Sequence, residues 1–175
     1  MVELVYMSTP HSYHYEHIKL CLNHGKHVLC EKSFTVNESQ AREVLELARE
    51  KKLLLTEAIW TRYMPMRKTL DDVLLSGVIG RPYMLTANLG YIISGKERIM
   101  RPELAGGALL DVGIYPLNFA SMVFGDGVDT RTGTAVMTET GVDAQNSITI
   151  TYKDVRMAVL CSSAMGLSDR RGIIY

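Results

Sequence analysis

The chain has 175 residues, 47% of them hydrophobic and 22% charged, with 19 Lys+Arg against 19 Asp+Glu and hence no net charge at pH 7. This is the composition of a soluble globular protein, and the charge balance argues against nucleic acid or an anionic lipid surface as partner, because both reward a basic patch. No apolar run approaches the roughly 20 residues of a membrane helix, no leader peptide is visible, and three widely spaced cysteines (Cys21, Cys30, Cys161) without a C-x-x-C pair fit a reducing cytoplasm.

Residues 3–9 read as a buried strand that ends in a polar loop at Pro10-His11. Residues 12–24 read as a helix with His14, Ile18, Cys21 and Leu22 on one face and Gly25 as its left-handed stop. His27 to Cys30 is a second strand. Thr35-Val36-Asn37-Glu38 has the spacing of a capping box, and Ala41, Val44, Leu45 and Ala48 form the stripe of the helix behind it. Leu53 to Glu57 is a third strand. Strand, helix, strand, helix, strand implies a parallel sheet with crossover helices, and ligands of such sheets sit at the carboxyl ends of the strands. Thr9-Pro10-His11, Glu31-Lys32 and Glu57 to Trp60 all fall at those ends.

After residue 60 the pattern changes. Residues 65–76 are helical, Gly77 to Pro82 is a turn, Tyr83 to Tyr91 a strand and Ile92 to Leu104 a polar loop. Ala108 to Phe124 is a helix closed by Gly125. Strands follow at 130–138, 145–152 and 155–163, and another starts at Gly172. Both ends look cut, with the first strand expected as an exposed edge.

Two clusters carry chemistry. Lys32 follows a buried strand, where its ammonium can polarise a substrate oxygen or act on a neighbouring phenol; an ordinary solvated Glu31-Lys32 pair is the plain alternative. Asp111 and Tyr115 are four apart and share a helix face, which Asn118 extends. Tyr115 can serve as general acid/base if a cation brings its pKa down from about 10. Gly106-Gly107 lets a ligand or a loop come close to the backbone, and Pro116 bends the helix. Trp60 and Arg62 offer a guanidinium to a phosphate or carboxamide, or else anchor a domain linker. His11, His14 and His17 are spaced by three, but no carboxylate or cysteine completes a shell, so no metal is expected. A G-x-G-x-x-G phosphate loop is absent.

Ser8-Thr9-Pro10-His11, Cys30-Glu31-Lys32, Ala58-Ile59-Trp60-Thr61-Arg62-Tyr63 and Gly106-Gly107-Ala108-Leu109-Leu110-Asp111-Val112-Gly113-Ile114-Tyr115 occur in this order. Together they resemble the glucose-fructose oxidoreductase / inositol dehydrogenase (Gfo/Idh/MocA) family, in particular its dihydrodiol dehydrogenase and NADP-dependent D-xylose 1-dehydrogenase branch. The resemblance implies an α/β fold followed by α+β. Residues 1–60 would be the second half of a Rossmann dinucleotide-binding domain, starting at its fourth strand and lacking the glycine-rich loop. Residues 61–175 would be an incomplete substrate-binding and dimerisation domain on an open, mostly antiparallel sheet.

By the same resemblance Lys32 and Tyr115 are the catalytic pair, with Asp111 assisting. Thr9, Pro10, His11 and Glu31 line the nicotinamide ribose, and Trp60 and Arg62 contact the cofactor or frame the substrate pocket. The implied reaction is metal-free hydride transfer between NADP, or NAD, and an alcohol of a sugar or cyclic diol, in a homo-oligomer joined through the C-terminal sheet. The competing reading is a truncated, non-catalytic fragment or dimerising partner. Two positions depart from the family pattern. Ser33 replaces the proline that usually follows the lysine, often after a cis bond. Leu89 stands where the related branch tends to place an aromatic ring.

Overall fold

The structure, a computed structural model, describes residues 2–175. Strands β1 (Leu4–Met7), β2 (His27–Cys30) and β3 (Leu55–Glu57) pair in parallel in chain order. Helices α1 (His11–Asn23) and α2 (Glu38–Glu50) connect them. Both helices lie on one face of the sheet, where Met7, Val28 and Cys30 meet Ile18, Leu22, Val44 and Ala48. Full burial of such a side chain stabilises the fold by about 1.5–3 kcal/mol. The opposite face shows Leu4 and Tyr6 to solvent.

The α2 cap differs from the expected box. Asn37, not Thr35, is the N-cap, and its side chain accepts from the Gln40 N–H at 2.9 Å. Gln40 reaches back to the Val36 N–H at 3.4 Å, while Thr35 donates its hydroxyl to the Asn37 carbonyl. Two overlapping boxes compete here, and the one with Asn at the cap prevails. Leu45 is correspondingly exposed, and the buried stripe is Val44 and Ala48.

A 3-10 turn at Trp60–Arg62 leads to α3 (Pro65–Ser76), which starts on proline and ends on Gly77 in the left-handed region. The second sheet has β5 (Val128–Met137), β6 (Asp143–Tyr152), β7 (Met157–Ser163), β4 (Met84–Gly90) and β8 (Gly172–Ile174) side by side in that order. Only the β4–β7 pair is parallel, so the sheet is open and mostly antiparallel. Leu85, Ala87, Ile150, Ala158 and Leu160 pack on Ala120 and Phe124 of α5 (Ile114–Phe124).

The segment read as a loop, 92–104, holds a short helix, α4 (Glu97–Met100), and a 3-10 turn (Pro102–Leu104). The helix expected from Ala108 begins as a π-helical turn at Leu109–Gly113 before α5. That wider turn lies one turn ahead of Pro116, whose missing N–H and bulky ring disfavour a regular α-turn there. The stretch Pro102–Phe124, 23 residues, is long and apolar enough to cross a membrane by length and composition, contrary to the sequence reading, but it is not one continuous helix: Ala105 and Gly107, both at positive φ, part the 3-10 turn from the helix that follows. Gly106-Gly107, Asp111, Pro116 and Asn118 break up its apolar stretches, which hid its length. Its buried residues pack in two cores, Ala120 and Phe124 on the second sheet and Ala108 and Val112 with Ile99 and Ala164.

Candidate active site

The parallel register places the loops after β1, β2 and β3 along one edge. Backbone bonds continue past the strands, Glu31 N–H to the Met7 carbonyl at 2.8 Å and Ala58 N–H to the Cys30 carbonyl at 2.6 Å. Lys32 therefore leaves the edge of the first sheet and points at the π-helical turn of the second unit. Its ammonium donates to the Asp111 backbone carbonyl at 2.6 Å and lies 3.4 Å from Asp111 Oδ1. It also sits 5.3 Å from the centre of the Tyr115 ring. Asp111 and Tyr115 thus converge on Lys32. The Lys32–Ser33 peptide bond is cis, and Ser33 donates its hydroxyl to the Leu110 carbonyl at 2.6 Å.

Asp111 is buried and has a second cationic partner, Arg98 Nη1, at 2.5 Å. Burial alone would raise its pKa, but the Arg98 hydrogen bond and the Lys32 and Arg98 charges outweigh it and hold the carboxyl below 3.8. Arg98 comes from α4, inside the segment read as a polar loop, and nothing in its spacing marked it.

Tyr115 behaves differently from the expectation. Burial pushes its phenol up, as do the charges of Glu31 and Asp111; the hydrogen bond from Trp60 works the other way. The Trp60 indole N–H donates to the Tyr115 hydroxyl at 3.0 Å. Arg62 donates to Asn118 Oδ1 at 2.5 Å and to the Ser121 hydroxyl at 2.9 Å, so it ties the linker to α5.

The histidine row holds the loop after β1. The two ring nitrogens of His14 lie 2.8 Å from the carbonyls of Thr9 and Ser33, joining the loops after β1 and β2. His11 Nδ1 is 3.0 Å from the Ala105 carbonyl, and burial pushes the pKa of this ring down, which favours its neutral form. His17 meets the Thr9 hydroxyl at 3.3 Å. Among the described residues no group of three His, Cys, Asp or Glu side chains is placed to share an ion. Glu31 accepts from the Tyr6 hydroxyl and from its neighbour, the Lys32 N–H, at 3.2 Å.

A cavity of about 240 Å³ opens between these parts. Ser8, Thr9, Pro10, His11, Glu31 and Lys32 form one wall, and Arg98, Leu104 and Asp111 the other. Trp60 and Arg62 do not line it. Gly106 and Gly107 serve the loop rather than a ligand: a Cβ on Gly106 would strike the Ile99 carbonyl, and one on Gly107 the Asp143 carboxylate. Asp143 in turn accepts from the Leu109 N–H at 2.8 Å and pins the π-helical turn to β6. A larger cavity, about 370 Å³, lies on the open face of the second sheet beside Gln145, Ser147 and Cys161, and none of the site residues lines it. Leu89 packs with Ile99, Ala108, Val112 and Ala164.

Both halves match one family: residues 1–59 its oxidoreductase domain with the NAD-binding Rossmann fold, and residues 68–175 its GFO/IDH/MocA C-terminal domain. The chain belongs to the GFO/IDH/MocA family. It is 42% identical over 128 residues to D-xylose 1-dehydrogenase (NADP(+)) of Hypocrea jecorina, covering 67% of this chain and 33% of that protein. It is 38% identical over 174 residues to trans-1,2-dihydrobenzene-1,2-diol dehydrogenase of Homo sapiens, covering 98% of this chain and 52% of that one. The 3-ketoreductase of Actinomadura kijaniata, solved with NADP and TDP-benzene, superimposes with a TM-score of 0.92 at 28% identity, over 99% of this chain and 54% of its own. The chain spans about half the length of most curated relatives it matches. A family with a Rossmann unit and an open-sheet unit accounts for the two sheets and for the site formed between them.

Proposed function

We propose that this chain carries the proton-transfer site of an NAD(P)-dependent oxidoreductase acting on an alcohol group of a sugar or cyclic diol. The observation that carries this reading is the convergence of Lys32, Asp111 and Tyr115, which come from two different units, with Lys32 and Asp111 lining a cavity at the strand ends and Tyr115 behind Lys32. Residues 1–60 then act as the second half of the dinucleotide-binding domain and 61–175 as the substrate-binding part. The cavity fits the nicotinamide-ribose end of a cofactor: the Thr9 hydroxyl, the Glu31 carboxylate and neutral His11 suit hydroxyl groups, with Pro10 as an apolar wall. Lys32 and, at the linker, Trp60 and Arg62 are the further contacts proposed for it. When bound there, NADP or NAD supplies the hydride acceptor or donor.

Lys32 has an oxygen ligand on Asp111 and lies over the Tyr115 ring, so it is placed to hold a substrate oxygen next to that phenol. Burial keeps the Tyr115 phenol protonated, the form that gives its proton to the substrate oxygen in reduction; in oxidation the hydroxyl proton is taken by its phenolate, which the Trp60 N–H favours. Asp111, kept ionised by Arg98, stabilises the Lys32 charge. The setting is cytoplasmic, with all three cysteines free, and the open sheet face joins two copies. The test is titration of the purified chain with NADPH and NADH, followed by Trp60 fluorescence, and turnover assays on D-xylose and a cyclic diol. Saturable micromolar binding and turnover support the reading; a folded chain with neither overturns it.

A second reading, a dimerising partner without cofactor chemistry, is favoured by the apolar side chains Leu4, Tyr6, Leu54 and Tyr63, all exposed. It predicts self-association in sedimentation with no response to either nucleotide.

A further inference from the structure

Three consecutive residues of the linker reach α5 through their side chains. Trp60 donates to the Tyr115 hydroxyl at 3.0 Å, Thr61 Oγ1 accepts from Asn118 Nδ2 at 3.0 Å, and Arg62 grips Asn118 and Ser121 with Nε and Nη2. Asn118 is buried, so its amide is held at both ends: the oxygen accepts from Arg62 and the nitrogen donates to Thr61. Trp60, by contrast, is 55% exposed. Packing does not fix an indole that exposed; the backbone turn that carries it must.

We propose that Arg62 and Asn118 are positioning residues that lock the Trp60–Arg62 turn onto α5 and so keep the indole N–H on the Tyr115 hydroxyl. The proposal rests on the reading of Tyr115 as the proton-transfer group. An indole donates and cannot accept, so its bond favours the phenolate over the phenol. It thereby opposes the groups that disfavour the phenolate: burial, Glu31 after β2, Asp111 on the π-helical turn and Tyr91 after β4. Lys32 faces the ring from the first sheet, and Arg98 acts on Asp111. Without the grip, Tyr115 keeps these neighbours and loses its one donor from the linker.

The chain has a single tryptophan and nine tyrosines, so absorbance would mix the phenols, whereas Trp60 emission selects its neighbour. Tyrosinate quenches a nearby indole, and subtracting the Tyr115→Phe titration leaves the Tyr115 step alone. Asn118→Ala removes two of the grip's three bonds, leaving only Arg62 to Ser121, without changing charge, and Arg62→Lys keeps the charge but gives up the two-armed fork. In both variants, folded by circular dichroism, the Tyr115-dependent midpoint is expected to rise by about one pH unit, the size of one hydrogen bond to a charged oxygen. Acrylamide quenching of Trp60 is expected to increase as well. A wild-type midpoint in either folded variant overturns the proposal; should one not fold, the other decides. No turnover is read, so this outcome is independent of whether the alcohol dehydrogenase reading stands.

Discussion

Lys32 and Asp111, 79 positions apart in sequence, are joined twice: the ammonium meets the Asp111 backbone carbonyl at 2.6 Å and its carboxylate at 3.4 Å. The lysine is placed by a parallel strand end and the aspartate by a π-helical turn, so the contact is a direct link between the two units. Arg98 closes the group from a third direction.

Asp111→Ala leaves Lys32 and Arg98 without their shared anion. Loss of one partner of a fully buried pair costs about 3–5 kcal/mol. Arg98 is 44% exposed, so water screens part of the change, and the expected loss is roughly 2 kcal/mol in urea unfolding at pH 7. The folded-state pKa of Asp111 is depressed, so its contribution is present above the ordinary 3.8 and is lost as pH falls through the folded value. The gap between wild type and variant should therefore narrow in acid; a gap that persists undiminished at low pH would refute the ion-pair account.

Glu57 has the opposite sign. Burial raises its pKa, although its carboxylate accepts the Phe34 N–H at 2.9 Å. Its contribution is full below the ordinary 4.5 and is lost as pH rises through the folded value. Glu57→Gln keeps an acceptor for Phe34 and never ionises. The variant should be more stable than wild type at pH 7, and this gain should disappear below pH 4.5. Equal differences at both pH values would count against burial as the cause.

Lys32→Ala and Tyr115→Phe should each lower kcat by roughly 10²–10⁴-fold on a sugar or diol in a form that turns over, the usual scale of a lost general acid/base. Tyr115→Phe removes one oxygen and should leave the urea midpoint nearly in place. Near-normal rates in either variant would remove that residue from the mechanism.

The thiols should separate by burial. Cys161 is exposed, whereas Cys30 is buried and its thiol is pushed up to about 12 by burial, with Glu57 and Glu31 adding to it. Only the thiolate reacts readily. In a disulfide-exchange assay at pH 8 the folded chain should release one fast equivalent, absent from Cys161→Ser; half-buried Cys21, its thiol pushed up by burial, should react more slowly, and Cys30 only on unfolding.

The strand and helix order was legible because each element shows its own period: alternation in 145–152, a stripe at Val44 and Ala48, and glycine stops at Gly25 and Gly77. The strand-end location of Lys32 followed from topology alone. Arg98 was not legible, since a four-residue helix has too little periodicity to stand out, and its partner Asp111 lies 13 residues on. The π-helical turn was also hidden, because one extra residue per turn leaves no mark in a pattern read at 3.6. Trp60 and Arg62 offered a cofactor role or a linker anchor. Hydrogen bonds to Tyr115, Asn118 and Ser121 give the anchor its structural basis, and these partners lie more than 50 residues away.

The parallel β4–β7 pair has a consequence for how the chain acquires its shape. Met84 lines up with Met157, and the other neighbour of β4 begins at Gly172. On the ribosome, β4 emerges about seventy residues before either partner strand exists. The three-strand sheet needs nothing beyond Glu57 to pair and can close early, as short-range contacts allow. The second sheet has to wait, with the apolar side chains Leu85 and Ala87 unmatched in the interval. Lys32 is therefore set in place by an early-forming unit, and Asp111 and Tyr115 are delivered to it late, so completion of the site should track the slowest phase of refolding.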